Sequence, residues 1–431
     1  MQHPSLMNRR MAGVLNARLP EAKLQDVADP RDRRGRRWAL EILLRVVVVS
    51  IAAGAKSLAQ AEKMTQKMSR AMARMLGVER RVADTTLRDL LCQIDPDELR
   101  KPLHAVIRAA HRRKALDPVG LPFGVATMDG KDTALPSCDD RYAQRQTPSE
   151  GSALVGVLRT MTCTLVSAAA RPCIDAIPIP AHTNEMGQFA ASFRSLMATY
   201  GKLDLFRLVT YDAGACSLQN ADLVVREHHK HYLFALKDSQ PTLRAEAERH
   251  LACLAPEQAA AFSEDIIGTG SVVRRVYLTE QMAGLHQWEH LRTVLRIESE
   301  TLDKQGKRTA YENRYYAASL SETALSPKQW LHVVRAHWGV ENNCHNTFDT
   351  IFEEDDHPWI ESSPKGTLAV VLLRRLAYNL LTLFRSVTQR SDDKRAEPWR
   401  DLVAAVYDAL ISTTYEQLTA LRPRYPDTAP A

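Results

Sequence analysis

The chain has 431 residues, 45% of them hydrophobic and 25% charged, which gives room for two or three domains with a sizeable core and no need of a covalent staple. Seven cysteines stand singly, at Cys92, Cys138, Cys163, Cys173, Cys216, Cys253 and Cys344, a pattern that argues against a zinc site or a disulfide framework and fits a reducing cytoplasm. With 57 basic and 51 acidic side chains the formal charge is +6, only mildly basic for the length and by itself barely in favour of nucleic acid.

The first residues, MQHPSLMNRRM, hold no apolar core of the signal-peptide kind. Next, DPRDRRGRRW sets Arg31, Arg33, Arg34, Arg36 and Arg37 between Pro30 and Trp38. Such a segment can neutralise several phosphates and make binding salt-sensitive; a solvated loop leading into a helix near Trp38 explains it equally well. Apolar periodicity predicts a helical domain over residues 1–117, with main helices at 38–54, 57–75 and 83–93. The stretch from Leu116 to Pro122 has the proline and glycine content of a linker, so a boundary is expected near 118.

From Phe123 the pattern turns to strands, at 123–129, 154–160, 162–168, 173–179, 206–212 and 231–237, with helices at 185–200 and 217–229. A mixed α/β sheet follows. Alternation places Phe123, Val125, Thr127 and Asp129 on one face of the first strand, and Phe206, Leu208, Thr210 and Asp212 on one face of a later one, so each aspartate ends an otherwise apolar face. A β-rich block at 255–320 precedes helices at 326–350 and 364–386, and residues 391–431 form a closing helix and a proline-rich tail. Glu41 and Arg45 in the stretch 39–55, and Arg374 and Arg375 within 364–386, are costly in lipid, so both stretches are expected to be buried helices and no membrane span is expected.

On the helix over 326–350, His337, Glu341, His345 and Asp349 follow one another at intervals of four and form a polar column among Trp330, Val333, Val334, Trp338 and Phe348. A solvated helix face is the ordinary meaning of such a column. Its apolar surroundings point instead to Glu341 as a third carboxylate beside Asp129 and Asp212. Two carboxylates on neighbouring strands and one from a helix can bind two divalent ions, which activate a water or a 3′-hydroxyl and stabilise the departing oxygen in phosphodiester attack. After Asp129, Gly130 permits close backbone approach and Lys131 is placed to meet phosphate. Competing acids are Asp132, Asp139 and Asp140 in the following loop and the run Glu353, Glu354, Asp355, Asp356; a zinc site of His337, Glu341 and His345 lacks the H-E-x-x-H arrangement. There is no G-x-x-x-x-G-K-S/T loop, no G-x-G-x-x-G after a strand and no G-x-S-x-G elbow, which removes nucleotide hydrolysis, dinucleotide redox chemistry and α/β-hydrolase chemistry as leading options.

At these residues the chain resembles the DDE transposases of bacterial insertion sequences, of the IS-four superfamily and within it the ISAs-one type. DPRDRRG with the apolar helix after it resembles the family's associated domain; MDGK and VTYDAGACS resemble the blocks of the first and second acids; HTNEMGQF resembles its K/S-x-N-E segment. YLFALKDSQPTL, RAHWGVEN and LLRRLAYNLL resemble its strand lysine, its glutamate helix and its closing helix. The resemblance implies an RNase H-like catalytic core over 118–390 with a β-rich insertion before the last catalytic helix, preceded by the all-α N-terminal domain. It implies Asp129, Asp212 and Glu341 as catalytic metal ligands, Mg2+ as the ion with Mn2+ as substitute, and Lys131, Lys237, Arg335, His337, Trp338 and Asn342 as residues near DNA. Cut-and-paste transposition follows, with transposon-end DNA and target DNA as partners, a homodimer on DNA, and a bacterial cytoplasmic, nucleoid-associated location. The superfamily's tyrosine, arginine and lysine around the glutamate are replaced here by Val334, His337 and Phe348, which shifts phosphate contacts to Lys131, Lys237 or Arg335. The alternative is a transposase-derived DNA-binding protein that has lost catalysis.

Overall fold

A computed structural model describes residues 6–138, 140–146, 155–285, 287–389 and 391–420. Asp139 and the proline-rich tail lie outside the described residues. The N-terminal region is helical: α1 (Leu6–Arg18), α2 (Leu40–Ala52), α3 (Leu58–Lys67), α4 (Arg70–Leu76), α5 (Asp84–Gln93) and α6 (Pro96–Arg112). The single helix expected over 57–75 is two. Met68 takes extended ψ of 138°, and the Ser69 hydroxyl then accepts from the Met72 N–H to cap a new helix. That helix stops at Gly77, whose φ of +78° suits a residue without a side chain. α6 starts where Asp95 caps and Pro96 fills the first turn.

Among the described residues ten strands form one mixed sheet: β1 (Val125–Leu135), β2 (Ala143–Gln146), β3 (Val155–Leu165), β4 (Cys173–Ile179), β5 (Leu208–Tyr211), β6 (His231–Leu236), β7 (Ala261–Ile267), β8 (Gly270–Thr279), β9 (Thr293–Leu302) and β10 (Arg308–Ala318). Their order is β2-β3-β1-β5-β6-β10-β9-β8-β7, with β4 also on β3. The pairs β1–β5 and β5–β6 are parallel and the others antiparallel. The two strands expected over 154–160 and 162–168 are the single strand β3, because Met161 stays in register with both Gly130 and Ile177 and nothing breaks the pleat there. The β-rich block does not stand apart: β10 pairs with β6 and carries the sheet on to β7.

Helices cover both faces. The crossover α7 (Glu185–Tyr200) packs with β3 and β4, and the expected helix 217–229 is the short α8 (Leu218–Asp222) followed by a π turn over Leu223–Glu227. Next comes α9 (Pro241–Leu251), which the sequence reading did not foresee. On the other face, α10 (Pro327–His337) starts at a capping box of Ser326 and Gln329 and leads through a π turn, Val340–His345, into α11 (Asn346–Thr350). Val125, Leu208 and Leu233 face α10's Trp330, Val333 and Val334, while Ala126, Met128 and Val209 face α7 and the N-terminal helices.

The last helices are α12 (Pro364–Leu383), α13 (Asp392–Arg395), α14 (Trp399–Ser412) and α15 (Tyr415–Ala420). The segment Pro364–Thr388 is long and apolar enough to cross a membrane, yet 94% of its most apolar window is buried inside the fold. Arg375 reaches the carboxylate of Glu354, and Arg374 the carbonyl of His357; the two arginines and Glu354 are buried in the interior. Asn379 bonds both backbone groups of Cys173, at 2.9 and 2.7 Å, and fixes α12 to β4. It is a core helix, as its central arginines required.

Candidate active site

The parallel contact of β1 with β5 covers only Val125–Thr127 against Leu208–Thr210. Beyond it β5 ends at Tyr211, while β1 runs on to Leu135 beside β3 alone. The expectation that Asp129 ends its strand is therefore corrected: Asp129 pairs with Thr162 in mid-strand. What ends there is the partner strand, and the gap it leaves lies at the carboxyl ends of parallel strands, where α/β sheets bind ligands. Asp212 follows β5 directly, and its Oδ1 accepts from the Gly214 N–H at 2.9 Å, which turns the carboxylate along the strand end.

The helical column meets this edge. His337 Nδ1 lies 3.0 Å from the Thr210 hydroxyl, itself 2.7 Å from the Thr127 hydroxyl. His345 Nδ1 lies 3.5 Å from Asp129 Oδ2, and Asp349 Oδ1 lies 2.7 Å from Lys131 Nζ. Glu341, between the two histidines, is exposed over the gap. The π turn that holds it is a local widening of a kind frequent at functional sites, although among the described residues this chain has two others elsewhere.

Burial pushes the Asp129 carboxyl up to about 8, and the nearby charges of Glu341, Glu185 and Asp212 add to the effect. Glu185, on the first turn of α7, is raised by burial and by Asp212 and Asp132, with Arg159 opposing. His345 is pushed down to about 3 by burial and by the cations Arg375 and Lys131, and His337 to about 4 by burial and Arg314, so both are neutral rings at neutral pH. Asp129 thus feels three further carboxylates, Glu341, Glu185 and Asp212, and Arg159 is the cation that opposes the effect, at Glu185. Among the described residues, no three acidic, imidazole or thiolate side chains close on a single point as bound-metal ligands do. The zinc alternative also fails to converge, since His337 is turned to Thr210 and His345 to Asp129.

The other residues singled out by sequence divide into distinct places. Lys131 is buried, held by Asp349 and by Asp355 at 3.3 Å. Lys237 and Trp338 line a cleft of about 260 Å3 that opens beside Asp212 and also takes in Arg244, Arg314 and Tyr316. The Arg314 guanidinium lies 4.6 Å from the centre of the Trp338 ring. Arg335 and Asn342 lie instead on a separate groove with Arg171, Lys328 and His332, where Arg335 is 2.7 Å from Asp265. In the basic segment Arg31 grips Asp29 with two bonds of 2.9 Å and Arg36 lies 3.3 Å from the same carboxylate, so these two brace the turn, while Arg33, Arg34 and Arg37 are exposed. Among the competing acids, Asp132 pairs with Arg159, Asp140 accepts from the Lys365 N–H, and Glu354 is sealed against Arg375.

Two residues of the site escaped the sequence reading. Glu185 stands in the quoted segment HTNEMGQF, where the Asn184 cap marks a helix start but nothing shows which way the carboxylate turns. Arg314 comes from β10, and no local signal joins it to a helix twenty-odd residues on.

Residues 22–106 match the family described as DDE_Tnp_1-associated. The match spans α2 to most of α6, includes the DPRDRRG segment, and indicates a DDE-type transposase family. No curated protein matches the chain.

Proposed function

We propose that this chain is a metal-dependent DNA transposase of an insertion sequence, of the IS-four superfamily and ISAs-one type, with an RNase H-like core. The observation that carries the reading is the meeting of Asp129, Asp212 and Glu341 at the open end of β1 and β5, from three distant parts of a chain whose N-terminal region matches a transposase-associated family. An order of three antiparallel strands followed by two parallel ones, β4-β3-β1-β5-β6, supports the core assignment.

The donor set fits a hard divalent cation. All its donors are carboxylate oxygens, and burial, with the repulsion of the neighbouring carboxylates added, holds Asp129 well above the ordinary carboxylate range, a state that a divalent cation would relieve. Asp129, Asp212 and Glu341 would hold Mg2+, or Mn2+ in its place. Such an ion supplies a polarised water or 3′-hydroxyl and a clamp on the departing oxygen. The protein's own share is positioning. The neutral His345 ring lies against Asp129 without neutralising it, Thr210 and His337 brace the strand end, and the cleft with Lys237, Arg244 and Arg314 offers cations to a phosphodiester next to Asp212. Element-end DNA and target DNA are the partners, with two copies of the chain keeping the two ends together.

The test is incubation of the full-length protein with labelled DNA carrying its gene's own flanks, in Mg2+ or Mn2+, beside Asp129→Ala and Glu341→Ala. Cleavage at a defined end, followed by joining of the 3′-hydroxyl to a second duplex, is expected for the native chain alone. Salt-sensitive binding without cleavage in either ion would overturn the catalytic reading in favour of a DNA-binding descendant. One observation favours that second reading: the neutral, buried His337 stands where the resemblance implies a cation.

A further inference from the structure

Glu185 opens α7, directly after the Asn184 cap, whose side chain accepts from the Gly187 N–H at 2.9 Å. A carboxylate in a first helical turn is favoured by the helix dipole alone. Dipole stabilisation works equally well with the side chain in solvent, however, and Glu185 is placed otherwise. Successive residues of β1 face opposite sides of the sheet, so Gly130 turns its bare α-carbon toward α7 while Asp129 faces α10. A β-carbon on Gly130 would collide with the Glu185 carboxylate. Gly214 makes a second seat: a β-carbon there would lie 2.8 Å from Met186 Cγ and 3.1 Å from Asp212 Oδ1. The Glu185 carboxylate and the Met186 side chain, both from the first turn of α7, therefore lie over two glycines, one next to Asp129 and one two residues after Asp212.

These two absences of a side chain leave room at the strand edge for a carboxylate that comes from the face opposite Glu341. The Glu185 carboxylate comes to lie half-buried, facing Asp129 and Asp212. Like charges brought together at a partly desolvated edge destabilise the fold unless a cation is meant to join them. We infer that Glu185 is a fourth carboxylate of the site and supplies an oxygen to the divalent cation held by Asp129, Asp212 and Glu341. The inference rests on the metal-site reading above and extends it to a residue from a fourth element.

Calorimetric titration of the full chain with Mn2+ tests it, on native protein and on Glu185→Gln, Gly130→Ala, Asp132→Asn and Asp129→Asn, each checked for native melting by circular dichroism. Glu185→Gln keeps the shape and removes the charge; Gly130→Ala keeps the charge and displaces it. Both are expected to weaken Mn2+ binding about tenfold or more. Asp132→Asn removes a neighbouring charge already paired with Arg159 at 2.9 Å and is expected to change affinity by no more than about twofold. Native affinity in Glu185→Gln, alongside loss in Asp129→Asn, overturns the inference and leaves the site reading standing. Equal weakening by Asp132→Asn and Glu185→Gln overturns it too, because long-range charge then accounts for both. Absence of Mn2+ binding by the native chain overturns the inference and the site reading together. Should Gly130→Ala fail to fold, Glu185→Gln decides alone.

Discussion

Asp129 sits where an ionised carboxylate is disfavoured, and that makes it an internal probe of the site. Its folded value, about 8, lies above the ordinary 3.8, so what it contributes to stability is fully present below 3.8 and is lost as pH rises through about 8. Asp129→Asn should therefore stabilise the cation-free protein by roughly 1–2 kcal/mol at pH 8, the direction expected when a strained functional residue is removed. Urea unfolding at pH 5 and pH 8 checks this, with the gain larger at pH 8; a variant less stable than native at pH 8 would show that the carboxylate is accommodated in some other way. Such crowding was partly legible in the chain. Alternation along β1 and β5 sets Thr127, Asp129, Thr210 and Asp212 on one face, and four-residue spacing aligns His337 with Glu341, because both follow from local periodicity. The approach of Glu185 was not legible, since it depends on bare α-carbons at Gly130 and Gly214 from two other elements. Nor could charge counting reveal that Arg31 and Arg36 spend their guanidinium groups on Asp29 and on the backbone of their own turn.

At the scale of elements, α12 shows what composition could and could not say. Arg374 and Arg375 ruled out a lipid setting, but the partner that lets them be buried comes from a run of four acids that reads as solvated. Only Glu354 of that run turns inward; Glu353 goes to Lys56 and Asp355 to Lys131. The pairing is incomplete, as Arg375 Nε and Nη2 and Glu354 Oε1 have no hydrogen-bond partner among the described residues. Removing one partner leaves a buried charge uncompensated, so Arg375→Met and Glu354→Gln are each expected to cost about 3–5 kcal/mol. The double variant removes both charges and should cost clearly less than the sum, with a coupling of about 1–3 kcal/mol in chemical denaturation. Simple additivity would mean that the pair is not the determinant. Element boundaries were harder to read for a related reason. The break at Ser69, the continuation of β1 past Asp129 and the π turn at Glu341 are set by capping and by partners in the sheet, and a window of sequence averages over them.

On the scale of the molecule, the helical region before residue 118 and the sheet after it share one interior. α12 packs against α2, α5 and α6 on one side and β4 on the other, and α14 packs on α1 and α2. A buried polar tie between the two regions is Asp175 of β4, which receives Arg100 of α6 through two bonds of 2.9 and 2.7 Å and has His104 Nε2 at 3.1 Å. Burial disfavours its ionised form, but His104 and Arg100 more than reverse this and hold its carboxyl well below the usual range. Because the folded value is depressed, the stability that Asp175 contributes is present above the ordinary carboxylate value of 3.8 and is lost only as pH falls through the lower, folded one. Asp175→Asn keeps the shape and leaves Arg100 without its buried counter-charge, so a loss of about 3–5 kcal/mol is expected at neutral pH. Two independent domains would melt in two steps, with the variant shifting mainly one of them. A shared interior predicts a single step that moves as a whole, with far-ultraviolet circular dichroism and tryptophan fluorescence coinciding in native and variant alike. The same shared interior predicts that residues 118–431 expressed alone leave the apolar face of α12 uncovered and do not fold. A soluble, cooperatively melting fragment would show that the N-terminal helices are an accessory, joined to the sheet by little more than the Arg100–Asp175 pair.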